Sequence, residues 1–87
     1  MTVTKKKILP RFFDDILNGK KNFEVRIADF DCKEGDTLIL EEWDAETKKY
    51  TGRKIEKKIK YLLKTKEQDF YKKEDIEKFG YAVIGFD

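Results

Sequence analysis

Apolar and polar residues recur along this chain in a way that marks a series of short elements. Lys5-Lys6-Lys7-Ile8-Leu9 reads as a first strand and leads into Pro10. Proline suits the first turn of a helix, where its missing N–H has no intrahelical partner to lose. Phe12, Phe13, Ile16 and Leu17 follow at helical spacing, with Asp14 and Asp15 on the outer side, so the pattern predicts a short helix over 10–18. Asn18-Gly19 supplies a left-handed stop. Phe23, Val25 and Ile27 then alternate with Asn22, Glu24 and Arg26, which predicts a strand over 22–27 with its charged residues on one face.

Beyond an irregular 28–32, Lys33-Glu34-Gly35-Asp36 is a turn signal with glycine where a positive φ is expected. It feeds a strand over Thr37–Trp43. Residues 44–52 read as a polar hairpin loop, with Trp43 and Tyr50 placed to pair across it. In Arg53–Leu63 the residues Ile55, Ile59, Tyr61 and Leu63 share one face, and Lys54, Glu56, Lys58 and Lys60 the other; Lys57 intrudes in the apolar register. A helix is expected over Lys72–Phe79, with Ile76 and Phe79 turned inward, then a buried last strand over Tyr81–Phe86. The order β-α-β-β-β-α-β predicts an α+β fold: a small, strongly bent, barrel-like sheet of about five mostly antiparallel strands with two short helices. Helix 10–18 would pack Phe13, Ile16 and Leu17 against Val25, Ile59 and Val83.

Composition narrows the function. Eighty-seven residues are expected to form a single domain over 1–87. No apolar run approaches the roughly 20 residues that span a bilayer, and no signal-peptide pattern opens the chain, so a soluble cytoplasmic protein with no membrane partner is expected. Histidine and serine are absent and Cys32 is the single cysteine. Ser-His-Asp and Cys-His nucleophile pairs are thereby excluded, as is a zinc site of Cys and His. No cofactor and no metal are expected, and a monomer is the favoured state.

The net charge of +2 hides segregation along the chain. Residues 1–26 carry seven basic and three acidic side chains, 27–52 three and eight, 53–66 seven and one, and 67–87 three and six. If the first and third blocks meet in space they form one positive surface, the footprint of a polyanion binder. The plainer alternative is a lysine-rich surface that keeps a small protein soluble.

The densest chemical cluster is Gly19-Lys20-Lys21-Asn22-Phe23-Glu24-Val25-Arg26. Alternation puts Glu24 and Arg26 side by side on one face, with Lys20 and Lys21 arriving from the turn. Solvated charges on a half-exposed strand would look the same. As a site, Lys21 and Arg26 can hold a phosphate, Arg26 through two N–H groups at once, and Glu24 can order both cations or accept from a base's exocyclic amine. An ion pair favours the charged form of a lysine, so this arrangement suits binding better than general-base catalysis.

Gly19-x-Lys21-x-x-Glu24-x-Arg26 resembles the Gly-x-Lys-x-x-Glu-x-Arg signature of ASCH domains, members of the PUA-like superfamily of small β-barrels. Ile8-Leu9-Pro10, Lys33-x-Gly35-Asp36-Thr37-Leu38, Trp43-Asp44-x-Glu46-Thr47, Tyr50-Thr51-Gly52-Arg53 and Gly80-Tyr81-x-Val83-Ile84-Gly85-Phe86 extend the resemblance, toward bacterial and phage ASCH-like proteins, over nearly the whole chain. The resemblance implies a pseudo-barrel with a cleft beside the first helix, lined by the signature side chains, and RNA or nucleotides as ligands. The ligand-binding residues are then Lys20, Lys21, Glu24 and Arg26. One similar branch hydrolyses acetylated cytidine, with its catalytic lysine at the position of Lys21 and a threonine at that of Glu24; Glu74 and Glu77 are the candidates here for its third acid. The leading expectation is therefore an RNA or nucleotide binding module. A small amidohydrolase of acylated nucleosides using Lys21 and Glu24 is the alternative, and an interaction domain working through Trp43 and Tyr50 is the third.

Overall fold

The structure of the protein, a computed structural model, describes residues 2–67 and 69–86. Its centre is a three-stranded mixed sheet in the order β1-β2-β3, formed by β1 (Val3–Ile8), β2 (Thr37–Asp44) and β3 (Lys49–Lys58). Helix α1 (Pro10–Leu17) follows β1, and α2 (Lys73–Phe79) follows a one-turn 3-10 segment at Thr65–Glu67. β1 runs parallel to β2, Val3 opposite Thr37 and Ile8 opposite Glu42. β2 and β3 are antiparallel, with Leu40 opposite Ile55 and Trp43 opposite Tyr50. The parallel pairing follows from α1, which with the loop after it returns the chain to the start of β1 before β2 begins.

The core lies between α1 and the sheet and consists of Ile8, Phe13, Ile16 and Leu40, with Phe12, Leu38 and Ile55 against it. Burying a side chain of this size stabilises by about 1.5–3 kcal/mol. An eight-residue helix is too short to persist alone, so α1 depends on Phe13 and Ile16 for its existence. Leu9 begins α1 without a side-chain cap, and its carbonyl accepts from the N–H groups of Phe12 and Phe13 at 3.1 and 3.0 Å. The other end of β1 and β2 is closed by Asp36, buried beneath the turn. Its carboxylate accepts from the N–H groups of Thr2 (3.1 Å) and Lys33 (3.0 Å). Those bonds, the Thr2 bond foremost, hold its pKa below the ordinary value against the opposing effect of burial.

The first helix, β2, the Trp43–Tyr50 pair and the second helix lie where the hydrophobic pattern places them. Among the described residues the sheet has three strands, is mixed rather than mostly antiparallel, and does not close. Other expectations are corrected: residues 22–27 and 81–86 form no strand among the described residues. Two carbonyls here, one in 21–26 and one on β1, accept from side chains instead of backbone N–H groups. Lys21 Nζ donates to the Phe23 carbonyl at 2.7 Å, and the Arg26 guanidinium donates to the carbonyl of Lys7 on β1. Segment 81–86 meets this stretch at Gly85: the Phe23 ring lies where a β-carbon on Gly85 would stand 2.7 Å from it. Leu17, Val25 and Val83 are exposed, so the expected packing of α1 reduces to Phe13 and Ile16. Strand β3 starts at Lys49 and stops at Lys58, leaving Tyr61 and Leu63 exposed, and Phe79 of α2 also faces solvent.

Candidate ligand-binding cleft

The cleft is built by the turn that ends α1. Gly19 takes φ +81°, a left-handed conformation that L side chains rarely adopt, and the reversed chain lets the Lys21 N–H reach the Asp15 carbonyl at 2.9 Å. The Asn18 side chain accepts from the Lys20 N–H (3.0 Å), and the Asn22 side chain donates to the Gly19 carbonyl (3.2 Å). This fixed turn aims Lys21 along the following segment. Its ammonium donates to Glu24 Oε1 at 2.9 Å, while Arg26 Nε donates to Glu24 Oε2 at 2.8 Å. One carboxylate therefore holds two cations, one on each oxygen.

The triad lines a cavity of about 490 Å³ together with Lys7, Ile8, Leu9, Phe12, Phe23 and Val25. Segment 21–26 forms one wall, α1 another, and the outer edge of β1 the third. Phe12 and Phe23 give the cleft aromatic surface, with the Lys21 ammonium 5.6 Å and 4.7 Å from their ring centres. Lys21 and Glu24 are largely shielded and Arg26 is more open. An ammonium carries three N–H groups and a guanidinium five. Lys21 uses two on Phe23 and Glu24, and Arg26 uses one on Glu24 and one on Lys7. The remaining N–H groups, on a triad with a formal charge of +1, are what the cleft presents to an anion.

Of the residues singled out in the sequence, Lys21, Glu24 and Arg26 converge here. Lys20 is exposed and does not line the cleft. Glu74 and Glu77 are exposed on α2 and do not line it either. Lys7 and Phe12 do line it although the motif omits them; alternation and helical spacing assign both to structure.

A second polar cluster escaped the sequence reading. Glu42 is only 3% exposed, and its carboxylate accepts from Thr51 Oγ1 (2.6 Å), Arg53 Nε (2.9 Å) and an Arg53 terminal nitrogen (2.5 Å). The same guanidinium reaches Asp14 of α1 at 2.9 Å and lies 4.5 Å from the Phe13 ring centre. Arg53, then Thr51, hold Glu42 below the usual carboxylate range, and Glu42 followed by Asp14 raise Arg53 further. The signal was available: Glu42 shares the apolar register of Leu38 and Leu40, and a carboxylate there requires a buried partner. No group of three or more His, Cys, Asp or Glu side chains is arranged to hold a metal ion among the described residues. Nor is any helix among them long and apolar enough to cross a membrane.

The family model described as Domain of unknown function (DUF3850) matches residues 3–86. The chain belongs to that family. Within DUF3850 terms, both the Gly19–Arg26 turn and the Glu42–Arg53 cluster fall inside the matched span. An uncharacterized 12.9 kDa protein in the GpA 3' region of Escherichia phage P2 is 45% identical over 53 residues, which is 61% of this chain and 47% of that protein. The chain thus matches about half the length of that relative. No solved structure matches the chain.

Proposed function

We propose that this DUF3850 chain is an RNA or nucleotide binding module whose ligand enters the cleft of Lys21, Glu24 and Arg26. The observation that carries the reading is the convergence of two cations on one carboxylate inside an aromatic-walled cavity of about 490 Å³. Arg26 presents a flat fork of N–H groups suited to phosphate. Phe12 and Phe23 offer apolar surface to a base, and Glu24 holds the cations in register. The resemblance to ASCH domains points the same way. On that resemblance the fold is a variant of the PUA-like barrel, with residues 22–27 and 81–86, which meet at Phe23 and Gly85, in the places of its remaining strands.

Fluorescence anisotropy with labelled RNA, and calorimetry with mononucleotides, test the reading. Binding is expected to weaken with rising salt and to fall about tenfold or more in Lys21→Ala and Arg26→Ala, the loss of one charge-assisted hydrogen bond or two. Binding indifferent to both substitutions overturns the assignment. The hydrolase reading uses the same Lys21–Glu24 contact. Because both groups are committed to each other and to neighbouring acceptors or donors, little or no turnover is expected with acylated nucleosides. Hydrolysis that vanishes in a folded Lys21→Ala variant would replace the binding module with an enzyme.

A further inference from the structure

On the sheet face turned away from α1, Trp43 and Tyr50 stand opposite each other across the β2–β3 hairpin. Tyr50 is 54% exposed and Trp43 half-buried. The ammonium of Lys7 lies over both rings, 4.5 Å from the centre of the Trp43 ring and 5.8 Å from that of Tyr50. By strand alternation Lys5 and Lys54 share this face with Lys7, as do the acids Glu41 and Glu56. Lys48 and Lys49 adjoin Tyr50 at the turn.

Lys7 belongs to two places at once. Its side chain reaches the aromatic pair, while the residue lines the cleft and its carbonyl accepts from Arg26. The edge of β1 therefore carries a cation that reaches the aromatic pair of β2 and β3 on one face of the sheet, while its own residue borders the cleft. A cation on that edge, flanked by stacking surface on one side and a phosphate-binding fork on the other, matches the repeat of a nucleic-acid strand: base, phosphate, base.

We propose that the ligand is a single-stranded nucleic acid rather than a free mononucleotide, with one nucleotide in the cleft and its neighbour stacked on Tyr50 and Trp43. Lys7 meets the phosphate that joins them. This rests on the reading of the cleft as a nucleotide site and extends it across the β1 edge. Stacking on an aromatic pair is tolerant of base identity, so the second position adds affinity without adding strict sequence choice. The cation–π contact holds the Lys7 ammonium over the rings before the strand arrives, and the base stacks on the ring surface it leaves open.

Trp43 is the single tryptophan of the chain, so its fluorescence reports on this pair alone. The test titrates wild type, Tyr50→Ala, Tyr50→Phe and Lys21→Ala with a labelled oligouridylate about six nucleotides long, within the span of small single-strand binding modules, and with uridine monophosphate. The oligomer is expected to quench Trp43 emission and to bind Tyr50→Ala about tenfold more weakly, the loss of one stacked base. Tyr50→Phe is expected to restore binding, and the mononucleotide to bind wild type and Tyr50→Ala alike. If Tyr50→Ala binds the oligomer as wild type does, while Lys21→Ala loses both ligands, the extension falls and the cleft reading stands. Oligomer binding that needs Tyr50 but not Lys21 upholds the aromatic surface and overturns the cleft. Absence of binding by either ligand overturns both.

Discussion

Arg53 of β3 grips the carboxylate of Glu42 on β2 through two nitrogens, at 2.9 and 2.5 Å, and reaches on to Asp14 of α1. A buried carboxylate with its partner removed is far worse than an apolar replacement of both. Arg53→Met is therefore expected to lower the melting temperature by several degrees, since only Thr51 then remains on Glu42. The double change Glu42→Leu with Arg53→Met is expected to recover much of the loss. Thermal melts of Arg53→Met, Glu42→Leu and the double variant check this, and additive losses would contradict it.

Acid sensitivity follows from the same carboxylate and from Asp36. The pKa of each is lower in the folded chain, through Arg53 and Thr51 for Glu42 and chiefly the Thr2 N–H for Asp36. A carboxylate whose pKa is depressed on folding contributes stability that is complete above its unfolded pKa, about 4. That contribution is lost as pH falls through the folded value. Stability from these two groups is expected to hold between pH 7 and 5 and to decline below about pH 4. Asp36→Asn is expected to flatten the decline, and urea midpoints measured across this range check it.

Glu24→Gln is expected to leave the fold almost intact, because partly exposed ion pairs contribute only about 0–1 kcal/mol. Removing the negative charge raises the positive potential of the cleft around Lys21 and Arg26. RNA affinity at low salt is then expected to rise, and anisotropy titrations at two salt concentrations read the change.

Gly85→Ala is expected to push segment 81–86 off the Phe23 ring, because the new β-carbon would stand 2.7 Å from Phe23 Cδ1. Overpacking of this kind costs about 1–3 kcal/mol when neither side can move; here the exposed segment can yield. The melting temperature is expected to fall slightly in Gly85→Ala and to return toward wild type when Phe23→Leu is added. Since Phe23 lines the cleft, ligand affinity is expected to change in the same variant.

Periodicity alone determined β1, α1, β2 and the Trp43–Tyr50 pairing, because each is a local pattern of apolar spacing with a helix start or a turn beside it. The cluster of Lys21, Glu24 and Arg26 was legible for the same reason: all three lie in the six-residue span 21–26 that follows a glycine-ended helix. Tertiary structure decided the rest. Residues 22–27 have the alternation of a strand, yet ladder pairing depends on which neighbouring edge is free, and here Lys21 and Arg26 side chains donate to the carbonyls of Phe23 and Lys7. The partners of Glu42, the place of Lys7 between two surfaces, and the exclusion of Lys20, Glu74 and Glu77 from the cleft depend on elements far apart in the chain. Side-chain alternation names a face, but only the packed fold names what that face meets.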